Sequence, residues 1–166
     1  MGITTPQSLT KDHNLGEFSC GTQILDDWLR DTALKNHSEG ASRTFVVADD
    51  ETRRVIGYYC ISTGSIEHSL VSGKFRRNMP DPIPVILLGR LAVDIKYANR
   101  GIGAGLMKDC YKRVVTVSAE VGVRAILVHA IDDESKQYYL RLGFSVSPIQ
   151  SHTLMIRVKD IAAALE

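Results

Sequence analysis

A chain of 166 residues is long enough to bury a sizeable core and of a length expected of one domain. A hydrophobic share of 44% and a charged share of 23% are ordinary for a globular protein, and a formal net charge of +1 excludes a globally basic nucleic-acid binder while leaving room for a local basic face. Cys20, Cys60 and Cys110 are odd in number, widely spaced and without a C-x-x-C pair, which excludes a disulfide framework or a zinc site and points to free thiols in a reducing compartment.

The start of the chain, MGITTPQSLTKDH, has no apolar core of the signal-peptide kind, and no stretch approaches the length of a membrane span, so a cytoplasmic location without membrane contact is expected. The first helix is predicted from Thr22, as N-cap, towards His37, with Ile24, Leu25, Trp28, Leu29 and Ala33 on one side and Gly40 as its stop. Residues 44–48 (TFVVA) and 55–62 (VIGYYCIS) read as a hairpin of two strands around the turn DDETRR. Residues 69–84, with three prolines, read as irregular, and Val85 to Val93 as the next strand.

A long amphipathic helix is predicted after Gly105. Leu106, Cys110, Val114, Val117 and Val121 form one core-facing stripe, and Gly122 ends it. Residues 124–130 (RAILVHA) read as a short buried strand, with His129 as a satisfied core residue. A short helix capped by Asp132 or Asp133 and ended by Gly143 follows. FSVSP and HTLMIRV read as two closing strands, and a last helix carries Ile161, Ala162 and Leu165. The order of elements predicts an α/β fold, a mixed central sheet flanked by helices.

The stretch RLAVDIKYANRGIGAGLM, Arg90 to Met107, carries the chemistry. A strand, a turn holding Gly101, Gly103 and Gly105, and a helix N-terminus together make an anion site: backbone N–H groups face outward, the helix dipole favours negative charge, and missing side chains admit a pyrophosphate. No Lys-Ser/Thr ends the turn, so it is not a Walker A loop. It does not follow a first strand with an acid about twenty residues on, so it is not a dinucleotide fingerprint.

This stretch resembles motif A of the GNAT N-acetyltransferases, which bind acetyl-coenzyme A. The family pattern Gln/Arg-x-x-Gly-x-Gly/Ala fits in two registers, one on Arg100, Gly103 and Gly105, the other on Ala98, Gly101 and Gly103. The second better places Leu106 and Met107 as the first apolar pair of the helix, and in it Ala98 replaces the usual Gln/Arg, with Arg100 as a substitute cation. Residues 135–144, SKQYYLRLGF, resemble the other GNAT signature, Ala-x-x-Phe-Tyr-x-x-x-Gly-Phe. The two motifs imply one GNAT acyltransferase domain over residues 1–166. They imply that backbone groups of Leu91, Ala92 and Val93 hold the pantetheine arm and that Gly101, Ile102, Gly103, Ala104 and Gly105, with Arg100, hold the pyrophosphate. Tyr139 falls on the family tyrosine and is the candidate general acid for the leaving thiolate; Tyr138, about 100° round the helix, is expected to pack. No general base is evident. Glu67 and Asp94 are the available carboxylates, each expected as a solvated strand-end charge, and the five histidines show no metal spacing.

The N-terminal half, FSCG (18–21), LDDWL (25–29) and GASRTFVV (40–47), with GYYCISTGSI (57–66), resembles the GNAT toxins of bacterial type II toxin–antitoxin operons, the TacT- and AtaT-like group. That resemblance implies transfer of an acetyl group to the α-amine of aminoacyl-tRNA, a block of translation, a ribbon-helix-helix antitoxin that carries operator-DNA binding, and often a homodimer. An aminoacyl ester lowers the pKa of its amine, which reduces the need for a base. Arg30, Lys35, Arg43, Lys74, Arg76, Arg77 and Arg90 are the cations expected to meet tRNA phosphates. The alternatives are a GNAT enzyme acting on a protein or small-molecule amine and a non-catalytic acyl-CoA-binding regulatory module.

Overall fold

A computed structural model describes residues 2–165. In chain order the elements are β1 (Gln7–Ser8), α1 (Gln23–Trp28), a π-helical turn (Leu29–Ala33), α2 (Leu34–Glu39), β2 (Arg43–Ala48), β3 (Val55–Ile66), α3 (Gly73–Arg76), β4 (Ile83–Val93), α4 (Ile102–Ser118), β5 (Ala125–His129), α5 (Asp133–Arg141), β6 (Ser145–Val146), β7 (Thr153–Arg157) and α6 (Val158–Leu165). The strands form a mixed sheet of order β1-β2-β3-β4-β5-β7-β6. Packing divides the chain into two compact units. The first runs to Ser62 and includes Gly89–Cys110; the second comprises Thr63–Leu88 and everything from Tyr111.

In the first unit β2 pairs antiparallel with β1 and with β3, with a register shift between Val47 and Ala48. Its core gathers Leu9, Phe18, Leu29, Ala33, Val46, Val55, Tyr58 and Ala92. Tyr58 is fully buried, and its hydroxyl donates to the Leu25 carbonyl at 2.7 Å, so the one polar atom of that ring is satisfied. Trp28 stacks on Tyr58 at 6.0 Å between centroids, and the Arg90 guanidinium lies 4.4 Å from the Trp28 ring centroid. Thr22 precedes α1 with extended backbone but makes no side-chain cap, and Gly40 ends α2 in the left-handed conformation at φ +80°. Ile24 departs from the predicted stripe: it is 64% exposed, while Leu29 and Ala33 are buried across the π turn.

In the second unit residues 85–88 of β4 run parallel to residues 125–128 of β5, and β7 pairs antiparallel with β5 and β6. Ile66, Val71, Phe75, Ile83, Val85, Ala125, Leu127 and Met155 form its core. The proline-rich stretch is not wholly irregular. Phe75 is buried, and Arg124 donates to the Phe75 and Lys74 carbonyls at 3.1 and 2.7 Å, which anchors the single turn of α3. The stripe on α4 is shorter than predicted. The helix ends at Ser118, Val117 is 36% exposed and Val121 60% exposed. The hydroxyls of Thr116 and Ser118 donate to the carbonyls of Lys112 and Val115, engaging acceptors near the end of the helix.

Candidate active site

The glycine turn lies wholly in the first unit. β4 ends at Val93, Asp94 caps a 3₁₀ turn over Ile95–Tyr97 by accepting from Lys96 N at 2.9 Å, and the chain reaches α4 through Ala98–Gly101. Gly101 has φ +78°, a conformation cheap for glycine and strained for other residues. The first α-helical bond of α4 runs from Gly105 N to Gly101 O at 3.0 Å. The N–H groups of Gly101, Ile102, Gly103 and Ala104 therefore have no helical acceptor, and none has another acceptor among the described residues. Four uncommitted donors at the positive end of a 17-residue helix suit a pyrophosphate. Leu106 and Met107 are buried at 0% and 1% exposure, the first apolar pair of the helix. Arg100 is exposed, its guanidinium 5.1 Å from the Tyr97 ring centroid.

α4 seats tightly behind this turn. A Cβ built on Gly57 of β3 would lie 3.0 Å from Leu106 Cδ1, 3.2 Å from Ile102 Cγ2 and 3.3 Å from the Ala92 carbonyl oxygen. Glycine at 57 is what allows the helix and the end of β4 to approach β3 so closely. Tyr59 adds a tie, donating from its hydroxyl to Asp109 Oδ2 at 2.5 Å.

Asp94 is neither a solvated strand-end charge nor an idle base. It is 1% exposed and accepts from Arg54 Nη2 at 3.2 Å, Ser19 N at 3.2 Å and Lys96 N. Those donors hold the carboxylate in a structural role. Sequence patterning gave Arg54 no part in this, because its partner lies 40 positions away.

In the second unit α5 carries the other motif. Asp132 caps it, accepting from Ser135 N at 2.8 Å, while Ser135 Oγ accepts from Asp132 N at 3.3 Å. Serine in the place of the family alanine thus completes a capping box. Gly143, at φ +99°, turns the chain into Phe144. Tyr139 is 6% exposed and meets Tyr138 and Phe144 edge to face, each with centroids 5.3 Å apart. The Tyr138 hydroxyl is buried without a hydrogen-bond partner among the described residues, and burial raises its pKa, which fits a packing residue.

Glu67 is exposed and lines a pocket with Ser65, Leu70, Asp81, Leu127, His129 and Gln150. His129 is exposed, not a core residue: it ends β5, and its Nδ1 lies 3.0 Å from Thr153 Oγ1. Among the described residues no group of three or more His, Cys, Asp or Glu could hold a metal ion. No described helix is long and apolar enough to cross a membrane.

The seven cations named from sequence have different surroundings. In the first unit Arg30 donates to the Phe18 carbonyl and to Asp27, Arg43 to the His37 carbonyl, and Arg90 stacks on Trp28, whereas Lys35 is exposed. In the second, Lys74 donates to Ser145 Oγ and lies over Phe75, Arg76 donates to the His68 carbonyl, and Arg77 is exposed with its side chain uncommitted among the described residues.

The family model described as "Acetyltransferase (GNAT) domain" matches residues 41–146, which contain both motifs. The chain belongs to the GNAT acetyltransferases. This acetyltransferase is 44% identical over 164 residues to a tRNA-acetylating toxin of Mycobacterium tuberculosis, covering 99% of this chain and 98% of that one. Among solved structures it is similar to a tyrosine-to-phenylalanine mutant of KacT, with a TM-score of 0.92, 25% identity and 99% coverage of both chains. It is also similar to AtaT complexed with acetyl-methionyl-tRNAfMet, with a TM-score of 0.90, 26% identity, and coverage of 99% of this chain and 100% of that one. AtaTR bound with acetyl-CoA and a tyrosine-to-phenylalanine mutant of the AtaT toxin bound to the C-terminus of the antitoxin AtaR match this GNAT chain at 26% and 25% identity, with TM-scores of 0.87 and 0.85 and coverage of at least 97% of each chain.

Proposed function

We propose that this GNAT chain, as one acetyltransferase domain over residues 1–166, is the toxin of a type II toxin–antitoxin pair. It transfers an acetyl group from acetyl-CoA to the α-amine of aminoacyl-tRNA and so blocks translation. The observation that carries this reading is identity of 44%, over nearly the whole of both chains, with a tRNA-acetylating toxin.

The chain's own residues supply the following parts. The N–H groups of Gly101, Ile102, Gly103 and Ala104 and the helix dipole of α4 bind the pyrophosphate, with Gly105 keeping the helix surface open there and Arg100 adding charge. Backbone groups of Leu91, Ala92 and Val93 take the pantetheine arm as an added strand. The α-amine attacks the thioester carbonyl, a C–N bond forms, and the C–S bond breaks with its electron pair leaving on sulfur. Tyr139 gives its phenolic proton to that sulfur. The nitrogen loses a proton to water, since the ester already lowers the amine's pKa and Asp94 is engaged elsewhere. Solved structures of KacT and AtaT include tyrosine-to-phenylalanine mutants, which supports a role for a tyrosine in proteins of this kind. Arg30, Lys35, Arg43, Lys74, Arg76, Arg77 and Arg90 contribute tRNA contacts.

The partners that follow are a ribbon-helix-helix antitoxin, operator DNA through that antitoxin and a second copy of this chain, in the cytoplasm. Antitoxin-bound AtaT and a KacTA–DNA complex, both with this fold, support the first two. The test is incubation of purified protein with labelled acetyl-CoA and a pool of charged tRNAs, with uncharged tRNA as control. Label on charged tRNA alone is expected. Label on protein or small amines alone would replace this reading with the other acetyltransferase, and failure to bind acetyl-CoA would leave a non-catalytic module.

A further inference from the structure

In the second unit Lys74, Arg77, Asn78, Met79, Arg124, Arg157 and Lys159 line one pocket. Five of the seven are cations, in a chain whose formal net charge is +1. Three of them, Arg124, Arg157 and Lys159, come from the start of β5 and the junction of β7 with α6, far in sequence from the Lys74–Arg77 cluster. We propose that this pocket binds phosphates of the tRNA backbone, as a contact separate from the aminoacyl end. The proposal rests on the tRNA-acetylating reading for the identity of the polyanion.

The pocket is built rather than merely charged. The Arg124 guanidinium is fixed by its bonds to the carbonyls of Lys74 and Phe75, which leaves Nη1 free of those contacts. Arg157 is fixed by Asp160, through Nε at 3.1 Å and Nη2 at 3.2 Å, and Asp160 is held below the usual carboxylate range chiefly by that hydrogen bonding. Lys74 is held by Ser145 and by the Phe75 ring. Arg77 and Lys159 are exposed and make no side-chain hydrogen bond or ion pair among the described residues. Three cations are thus positioned in advance and lose little side-chain entropy when a ligand arrives, while two are free to close on it. Planar guanidinium groups match phosphate oxygens in pairs, and Asn78 adds an amide donor to the rim. The aromatic ring at the pocket, Phe75, is 3% exposed, so it offers no face for stacking a base. A site with many cations and no exposed ring reads charge and shape, not sequence.

The pocket also stands apart from Tyr139 within this unit. It opens at the Arg124 end of β5, whereas α5 leaves from the His129 end, about 13 Å further along a five-residue strand. A tRNA acceptor arm is long enough to reach both.

The test is binding of uncharged tRNA across a salt series, for the wild type and for Arg77→Glu/Lys159→Glu. Both positions are exposed, and neither carries the Arg124 anchor of α3. Affinity is expected to fall about tenfold at physiological salt, and the slope of log Kd against log salt to become shallower by about two. The melting temperature should remain that of the wild type. If the double variant melts early, Lys159→Gln alone replaces it, with a slope change of about one expected. Wild-type affinity and slope in a folded variant would overturn the proposal. So would a variant that keeps tRNA binding and loses an acidic antitoxin peptide, since the pocket would then be a peptide site. If the wild type acetylates aminoacyl-tRNA and the variant binds tRNA normally, the pocket assignment fails and the function stands. If the wild type acetylates no aminoacyl-tRNA yet binds tRNA through these residues, the reverse holds.

Discussion

Tyr138 and Tyr139 adjoin in sequence and differ in what a hydroxyl does at each place. The Tyr138 hydroxyl is buried without a partner among the described residues, so its removal relieves an unsatisfied polar group. Tyr138→Phe is expected to retain acetylation within a few-fold and to be at least as stable as the wild type. Tyr139→Phe keeps the ring that packs on Phe144 and removes the proton donor; kcat should fall by roughly 10²–10⁴ while the melting temperature holds. Single-turnover acetylation of charged tRNA measures both, and equal rates in the two variants would reverse the roles given to the pair. Asp94 gives a different expectation. It is buried against Arg54, whose side chain is 18% exposed, so truncation strands a largely buried guanidinium. Asp94→Ala should cost about 3–5 kcal/mol by urea denaturation. A loss below 1 kcal/mol would mean that water compensates Arg54 fully.

At the level of elements, Gly57 is the contact that sets where α4 lies in the first unit. Its missing Cβ would sit 3.0 Å from Leu106 Cδ1 and 3.3 Å from a backbone oxygen, and the backbone cannot move aside as a side-chain tip can. Gly57→Ala should destabilise by about 1–3 kcal/mol through overpacking and weaken acetyl-CoA binding by shifting the helix start. Calorimetric titration with acetyl-CoA checks the second part; undiminished affinity would show that α4 and its donors tolerate the shift. Much of this architecture was legible beforehand. The hairpin strands, the strand into the glycine turn and the stripe Leu106, Cys110, Val114 announce themselves by periodicity. Other parts left no such trace. β1 is only two polar residues, Gln7 and Ser8, too short to show a period, α3 depends on Arg124 reaching it across 50 positions, and Val117 and Val121 keep the helical period while the helix itself stops. For the candidate site, the glycine turn was readable from its spacing between a strand and a helix, whereas Tyr139 was singled out only by resemblance to the second GNAT signature. The engagement of Asp94 was not, because its partners Ser19 and Arg54 are brought to it only by folding.

For the whole molecule, stability should depend on pH through two imidazoles. Burial first, then Arg53 for His13 and Arg43 for His37, holds each below the usual value of 6.5. Between the depressed folded values and 6.5 the unfolded chain binds more protons than the folded one. Stability is therefore fully present above about pH 6.5 and declines as pH falls through that value towards the folded ones. Denaturant midpoints measured above and below this window should fall on the acid side, and His13→Gln should remove part of the slope; a flat profile would rule out both groups. Asp49, Asp132 and Asp160, all lowered below 3.8 by hydrogen bonds to backbone or to Arg157, contribute stability that is lost only at more acid pH.

The π turn over Leu29–Ala33 holds one residue more per turn than an α-helix, so α1 and α2 are out of phase with each other. A chain one residue shorter could run straight through. Removal of the exposed Asp31 would rotate α2 by about 100° relative to α1. His37 would then swing away from Thr44, whose N–H it now accepts at 2.9 Å, and its carbonyl would be lost to Arg43. The helix is thus keyed for a particular reading frame of side chains. An alignment that closes this gap by sliding one residue would pair the wrong faces from Leu34 onward.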